Sequence, residues 1–249
     1  MSDTLVIQSH RQPLPYAWIE TCMTSVRQWA ESNDYCYEFI GDELFDYISP
    51  SLLAKTQNQR VIATDLARLK LLQNRLSRKH QTVVWCDADF LIFAPERFSL
   101  PEHSYSLGRE VWIQPDKNNP DKLVAKTKVH NAFIMFRQGN HFLDFYTETA
   151  ERLLELNCGN IPPQFIGPKL LTALHNIAHC HVLETAGMLS PVVINDIANK
   201  RGDALTLFQN KSNEKIAAAN LCSSLFACGD VTQQTIVQCI CNISGCFAS

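Results

Sequence analysis

The sequence lacks long hydrophobic runs and has no large excess of charge of either sign. No apolar run approaches the ~20 residues that a membrane-spanning helix needs, and residues 1–4 lack the basic start and apolar middle of a signal peptide. With 22 Lys plus Arg against 25 Asp plus Glu, the net charge is -3, so no general positive field exists to hold a polyanion. We therefore expect no transmembrane segment and no nucleic-acid partner. We expect a cytoplasmic location, with peripheral association at the inner membrane face as a further option.

The sequence also lacks cysteine pairs at the spacing of a zinc site. Five of its ten cysteines lie in residues 222–249, but none forms a Cys-x-x-Cys pair. No internal repeat, low-complexity tract or flexible linker divides the chain. The hydrophobic fraction of 46% and the charged fraction of 19% exclude a disordered or fibrous protein. We predict a single domain over residues 1–249, with a cysteine-rich tail at about 222–249 to which we assign no role.

Short apolar runs alternate with amphipathic segments along the chain, a pattern typical of an α/β fold with a mainly parallel central sheet covered on both faces. Strands are predicted at residues 5–7, 35–40, 83–86 and 133–136. The predicted helices carry apolar stripes, which consist of Ile19, Cys22, Met23, Val26 and Ala30, then Ile62, Leu66, Leu69 and Leu76, then Phe142, Phe145, Tyr146, Thr149, Leu153 and Leu156. A further helix is expected to open at Gly167-Pro168, with proline in the tolerated first position.

Two acidic residues, Asp87 and Asp89, interrupt the apolar run of residues 83–93. At strand spacing both carboxylates point the same way, and they cannot both stay ionised in a partly dry site unless a cation or several donors compensate. A divalent Mn²⁺ or Mg²⁺ ion is an economical compensation, because both ions prefer hard oxygen ligands. The alternative is an Asp pair that caps a surface turn. The apolar flanks favour the buried site, since surface loops are polar.

Several ordered motifs resemble the DXD-containing sugar-binding family of glycosyltransferases, which also includes glucosylating bacterial toxins. They are Thr64-Asp65-Leu66-Ala67-Arg68, similar to the start of a helix in that family, Trp85-Cys86-Asp87-Ala88-Asp89, similar to its DXD motif, His130-Asn131 at a strand start, Gly167-Pro168, and Asn220-Leu221-Cys222-Ser223. The chain departs from the family in lacking Gly-Gly-x-Tyr before the DXD motif and a late His-Trp pair.

The resemblance implies a GT-A, Rossmann-like fold and a hexosyltransferase that moves a sugar from a nucleotide-diphosphate sugar, expected to be a UDP-sugar, to a hydroxyl acceptor with retention. The acceptor could be a carbohydrate, a lipid-linked group or a protein. Asp87 and Asp89 would hold the metal, with Asn220 as a further candidate ligand. The expected catalytic residues are Asp65, Arg68, Asp87 and Asp89.

Donor contacts are expected from a group of residues in these motifs, and the acceptor or sugar pocket from Gly167 and Pro168. The donor group comprises Gln8, Ser9, Asp65, Arg68, Trp85, Cys86, Asp87, Ala88 and Asn131. Asp65 and Arg68 are three residues apart, so both head groups lie on one side of a helix, where a weak exposed salt bridge is the alternative interpretation.

Two other functions remain open from the sequence. One is a catalytically silent module that binds nucleotide sugars or a partner. The other is a phosphatase of the haloacid dehalogenase type, but that class carries its Asp pair on the first strand, whereas the first strand here ends at Gln8-Ser9.

Overall fold

The computed structural model describes residues 3–56, 59–78, 80–223 and 231–247. In these residues the strands are β1 (Thr4–Ser9), β2 (Cys36–Ile40), β3 (Thr82–Cys86), β4 (Phe90–Ile92), β5 (Tyr105–Pro115), β6 (Leu123–Arg137), β7 (Val182–Leu183), β8 (Ala186–Met188) and β9 (Ala218–Asn220). The α-helices are α1 (Ala17–Ser32), α2 (Pro50–Lys55), α3 (Arg60–Arg78), α4 (His141–Leu156), α5 (Leu170–Ala178), α6 (Pro191–Ala198), α7 (Asp203–Lys211) and α8 (Gln233–Cys246).

A six-stranded sheet in the order β2-β1-β3-β6-β5-β7 forms the centre of the molecule. The pairs β1–β2, β1–β3 and β5–β7 are parallel, and β6 is antiparallel to both of its neighbours. Five of the six strands therefore run the same way, which confirms the predicted α/β class and mainly parallel sheet. The extent of the domain, predicted as residues 1–249, stays a prediction.

Both faces of this sheet are buried at its central strand β3. Val83 and Trp85 of β3 pack with residues of α3 and α4, whereas Val84 and Cys86 pack on the opposite face with residues of α1. Successive side chains of a strand point to opposite faces, so a strand that is apolar throughout can be covered by helices on both sides. The predicted stripes of α1 and α3 are buried as expected. In α4 the prediction is partly wrong, because Phe145 and Leu156 are exposed.

A second, three-stranded sheet in the order β4-β9-β8 lies beside the carboxyl end of β3. Phe90 at the start of β4 is paired with Asn220 at the end of β9. The sheet therefore brings residues from the last part of the chain next to the Asp pair. Of its three strands, β4 lies inside the predicted apolar run of residues 83–93, whereas β8 and β9 were not predicted.

Two local predictions around the candidate motifs are wrong. The turn between β3 and β4 contains Asp87 and Asp89, so they do not lie within a continuous strand. This turn is nevertheless buried, with Ala88 5% exposed and Asp89 8% exposed. Helix α3 begins at Arg60, so Thr64 lies inside the helix and not at its start, as the resemblance implied. The Thr64 hydroxyl donates to the Arg60 carbonyl oxygen.

The remaining segments follow the expected order less closely. Pro168 lies in a wide helical turn, Phe165–Lys169, and the regular α-helix begins two residues later than Pro168. Part of the cysteine-rich tail forms α8, but Cys228 lies outside the described residues. Within the described chain, no helix has both the length and the apolar character required to cross a membrane.

Candidate active site

Neighbouring strands hold the backbone of Asp87 on both sides. Its N–H donates to the Ala132 carbonyl oxygen at 2.8 Å, which extends the β3–β6 pairing by one step. Its carbonyl oxygen accepts from Gln8 Nε2 at 3.1 Å, and the Tyr37 hydroxyl in turn donates to Gln8 Oε1 at 3.0 Å. Gln8 is fully buried, and its side chain supports the backbone of Asp87. It therefore does not line the cavity in which the predicted contact with the donor would be made.

Arg68 is the electrostatic centre of the site. Its Nη1 lies 3.1 Å from Asp87 Oδ1 and donates to the Asn131 carbonyl oxygen at 2.7 Å, and its Nη2 lies 3.3 Å from Asp65 Oδ1. The guanidinium also stacks over the Trp85 ring at 4.9 Å. Nearby carboxylates raise the pKa of Arg68 against the effect of burial. The pair with Asp65 is therefore a buried network, not the exposed salt bridge considered as the alternative.

Asp65 is enclosed by protein on nearly every side. Asn131 Nδ2 donates to its Oδ1 at 2.8 Å, while its Oδ2 is buried without a hydrogen-bond partner among the described residues. Gly167 packs so closely that a Cβ atom there would lie 2.4 Å from Asp65 Oδ2. Burial raises the pKa of Asp65 to about 6, although Arg68 and Asn131 act in the opposite direction. A buried polar atom without a partner is unusual and is often functional.

Asp89 is held by neutral donors. Asn220 Nδ2 donates to its Oδ1 at 2.7 Å, and the Ser223 backbone N–H donates to its Oδ2 at 2.6 Å. Burial raises the pKa of Asp89, and the charge of Asp87 acts in the same direction. The Asn220 amide oxygen accepts from the Cys222 N–H at 2.8 Å. Asn220 therefore positions Asp89 with one end of its amide and the loop after β9 with the other.

These residues meet at one cavity of about 660 Å³, within the usual size range of ligand sites. Of the residues predicted for the site, the cavity is lined by Ser9, Asp65, Arg68, Trp85, Asp87, Ala88, Asp89, Asn131, Pro168 and Asn220. Gln8, Cys86 and Gly167 lie behind the wall. Cys86 is fully buried on the other face of β3, because adjacent strand residues point to opposite faces. A donor contact by its side chain is therefore excluded.

One wall of the cavity was not predicted from the sequence. Glu110, Trp112 and Gln114 of β5 and Lys128 of β6 line it. The available signal was the run Val111-Trp112-Ile113, whose β-branched and aromatic residues are typical of a strand. In a strand, Glu110 and Gln114 share a face with Trp112. Ser223 was noted within a motif, but its backbone contact with Asp89 could not be foreseen from the sequence.

The donor set suits a hard divalent cation. Asp87 and Asp89 offer carboxylate oxygens, and each oxygen of Asp89 accepts one hydrogen bond, which leaves lone pairs free. In the described part of the chain, no three His, Cys, Asp or Glu side chains are grouped closely enough to hold a metal ion. Mg²⁺ commonly binds through one or two carboxylates, with water and phosphate oxygens at its other positions.

No known protein family and no curated protein matches this chain. Three solved structures have similar folds. A glycosyltransferase involved in glycosylation of the major capsid of PBCV-1 is 11% identical, with a TM-score of 0.45 and coverage of 91% of this chain and 96% of that one. An active-site mutant of LgtC is 10% identical, with a TM-score of 0.46 and coverage of 88% and 87%. Mouse xyloside xylosyltransferase 1 is 9% identical, with a TM-score of 0.46 and coverage of 90% and 99%. At these levels of identity and TM-score, the likenesses do not establish a function for this chain.

Proposed function

We propose that this chain is a metal-dependent glycosyltransferase of the GT-A type that transfers a sugar from a nucleotide-diphosphate sugar, a UDP-sugar in the first instance, to a hydroxyl acceptor with retention of configuration. The supporting observation is that Asp65, Arg68 and Asp87 form one hydrogen-bonded network at the wall of a 660 Å³ cavity that Asp89 also lines. These residues come from the motifs on which the family resemblance rests.

The charge at this wall is negative. Asp65, Asp87 and Asp89 together carry up to three negative charges around the single guanidinium of Arg68. A divalent cation compensates such a surplus, whereas a bare diphosphate would be repelled by it. Asp87 and Asp89 would hold that ion, and when bound it would act as a Lewis acid on the leaving diphosphate.

The proposed reaction exchanges one bond at the anomeric carbon. The acceptor oxygen bonds to that carbon, and the bond to the diphosphate oxygen breaks with its electron pair on the diphosphate. The hydroxyl proton passes to the departing phosphate. The transition state resembles an oxocarbenium ion, so carboxylates on the sugar side stabilise the positive charge that develops there.

Asp65 and Arg68 would have different roles in this reaction. Asp65 lines the cavity, and its Oδ2 has no hydrogen-bond partner among the described residues. We assign it a hydrogen bond from a sugar hydroxyl, which requires Gly167 to move away from that buried oxygen. Arg68 is only 4% exposed and is directed at protein oxygens, so we assign it the positioning of Asp65 and Asp87 instead of the donor contact expected from the sequence.

The competing functions differ in what they require of the site. A phosphatase of the haloacid dehalogenase type needs its Asp pair after the first strand, and here the pair follows β3. A catalytically silent binding module is compatible with the Arg68–Asp87 ion pair, which partly compensates the Asp pair without a metal. Donor turnover separates this module from an enzyme.

The test combines donor binding with donor turnover. We expect at least one nucleotide sugar to raise the melting temperature when Mn²⁺ is present and not without it, and to be slowly hydrolysed without acceptor. Asp87→Asn should abolish hydrolysis with the fold retained, because Asp87 is partly exposed. The exposed Asp46→Asn is the matched control. Binding without turnover would indicate the silent module, and normal turnover by Asp87→Asn would refute the assignment.

A further inference from the structure

A strip of side chains on β5 forms the wall of the cavity that the donor network does not use. Glu110, Trp112 and Gln114 alternate along the strand and all line the cavity. The intervening Val111 and Ile113 are buried in an apolar cluster on the other face. The alternation of a strand thus presents a carboxylate, an indole and an amide side by side.

Lys128 completes this strip from the neighbouring strand. It is paired in register with Glu110, and its Nζ lies 3.7 Å from Glu110 Oε1. Glu110 is 7% exposed, and burial raises its pKa while Lys128 opposes the rise. A carboxylate buried at a cavity wall with one ammonium group at this distance retains capacity to accept hydrogen bonds from a ligand.

The strip lies within reach of the donor network. Lys128 and Asn131 both belong to β6 and both line this cavity. Asn131 hydrogen-bonds Asp65, so the strip and the carboxylates assigned to the donor face the same cavity. An acceptor hydroxyl must approach the donor sugar from such a neighbouring position.

We propose that Glu110, Trp112 and Gln114 form the binding site for a saccharide acceptor. The proposal rests on the proposed transfer function and selects a carbohydrate from the three acceptor classes left open by the sequence. A sugar ring has one relatively apolar C–H face, which a flat indole can cover, and hydroxyls that a carboxylate and an amide can hydrogen-bond. An acyl chain would desolvate Glu110, Gln114 and Lys128 without offering any of them a hydrogen bond.

The role of Trp112 separates a saccharide from other acceptors. The indole is half-buried in the cavity wall, so it offers a preformed surface. Trp112→Phe keeps a flat aromatic face, whereas Trp112→Ala removes it. Thr127→Ala on β6 is the matched control, because Thr127 is exposed, does not line the cavity and is paired with Val111, not with a residue of the strip.

The experiment measures saccharide binding separately from donor binding. Methyl glycosides of the common hexoses and N-acetylhexosamines, with their β-linked and α-linked disaccharides, are titrated by saturation-transfer NMR against the protein with and without Mg²⁺ and UDP. We expect at least one saccharide to bind, at least a tenfold weakening in Trp112→Ala, and near-normal binding in Trp112→Phe and Thr127→Ala. The Mn²⁺-dependent melting shift with nucleotide sugar should be unchanged in Trp112→Ala, which also shows that this variant folds.

The possible results lead to different conclusions. Equal saccharide binding by Trp112→Ala and the unaltered chain overturns the proposal, and so does the absence of binding by every saccharide of the panel. If no nucleotide sugar binds to the unaltered chain, the transfer function is refuted instead. The titration without UDP still shows whether the strip binds saccharides.

Discussion

The two carboxylates of the Asp-x-Asp turn are held in different ways by two regions of the molecule. Asp87 belongs to the large sheet and contacts a cation, Arg68, as well as Trp85 Nε1 at 2.7 Å. Asp89 belongs to the small sheet and accepts from the neutral groups of Asn220 and Ser223. The side chain of Asp87 is 28% exposed, whereas Asp89 is enclosed. One region thus stabilises its carboxylate by charge, and the other by preformed dipoles.

Because of this difference, the two regions should be destabilised by different substitutions. A charge network fails when its cation is removed, because the remaining buried carboxylates have no compensation. A dipolar site fails when a donor faces another donor. Variants that alter only the charge network or only the dipolar contacts should therefore reduce the stability of the two regions to different extents.

The largest expected effect is removal of the central cation. Arg68→Ala leaves Asp65 and the inner oxygen of Asp87 without a partner charge, so we expect a loss of about 3–5 kcal/mol in the free energy of unfolding. Urea denaturation measures it. Arg60→Ala is the control, because its ion pair with Asp42 is exposed and should contribute at most about 1 kcal/mol. Similar losses in both variants would contradict the buried network.

The second prediction concerns His130, which connects the two regions. Its Nε2 is 3.1 Å from the Ala186 carbonyl oxygen in the small sheet, and its Nδ1 accepts from the Ala132 N–H in the large sheet. Burial lowers the pKa of His130 from 6.5 to about 4. The unfolded chain therefore binds the proton more readily, so stability present above pH 6.5 is lost as the pH falls towards 4.

This loss should amount to about 3 kcal/mol. The measurement compares urea denaturation of the unaltered chain and His130→Gln between pH 7 and pH 4, since the other titrating groups are common to both. The unaltered chain should lose more stability than the variant over this range. Parallel pH profiles would show that His130 is not buried in its neutral form.

The third prediction tests the packing behind Asp65. Gly167→Ala would place its Cβ 2.4 Å from Asp65 Oδ2 and 3.0 Å from Asn131 Nδ2, so one of these groups must move. We expect a loss of about 1–3 kcal/mol together with weaker donor binding, measured by thermal unfolding with and without nucleotide sugar. Gly245→Ala, in α8 with no atom within 4 Å of the added Cβ, should be neutral or slightly stabilising.

The smallest expected effect is that of Asp87→Asn, which is compared with that of Asp89→Asn. In Asp89→Asn the new amide group must face the donor of Asn220 or of Ser223, and we expect a loss of about 2 kcal/mol. Asp87→Asn should cost less than about 1 kcal/mol, because water reaches Asp87 and Arg68 retains Asp65. Chemical denaturation of both variants gives the order, and the reverse order would contradict the assignment of charge to one region and dipoles to the other.

Local patterns predicted four strands of the large sheet, β1, β2, β3 and the final third of β6, but neither β5 nor β7. The strands around residues 5–7, 35–40 and 83–86 are apolar runs between clear turn signals, and α1 and α3 carry strong apolar stripes, so period and composition sufficed. Asp65, Arg68 and Asp87 lie close together in the structure. The sequence grouped them only through the family resemblance.

The rest depended on long-range pairing that no local pattern contains. The strands of the small sheet are three residues long, too short for a periodic signal. The burial of Asp65 and Arg68 could not be predicted, because it depends on contacts with Gly167 and Asn131, which are distant in sequence. The polar strip on β5 was overlooked because its partner strand was recognised only in its final third.

Asp89 and Asn220 are 131 residues apart in sequence, which has a consequence for biosynthesis. A ribosome releases the amino-terminal strands and the Asp-x-Asp turn long before β9 is translated. The emerging polypeptide therefore contains this acidic turn before Asn220, whose side-chain amide donates to Asp89, has been made. Chaperone contact during translation is most needed in that interval, and chains that terminate before residue 220 should be degraded instead of accumulating.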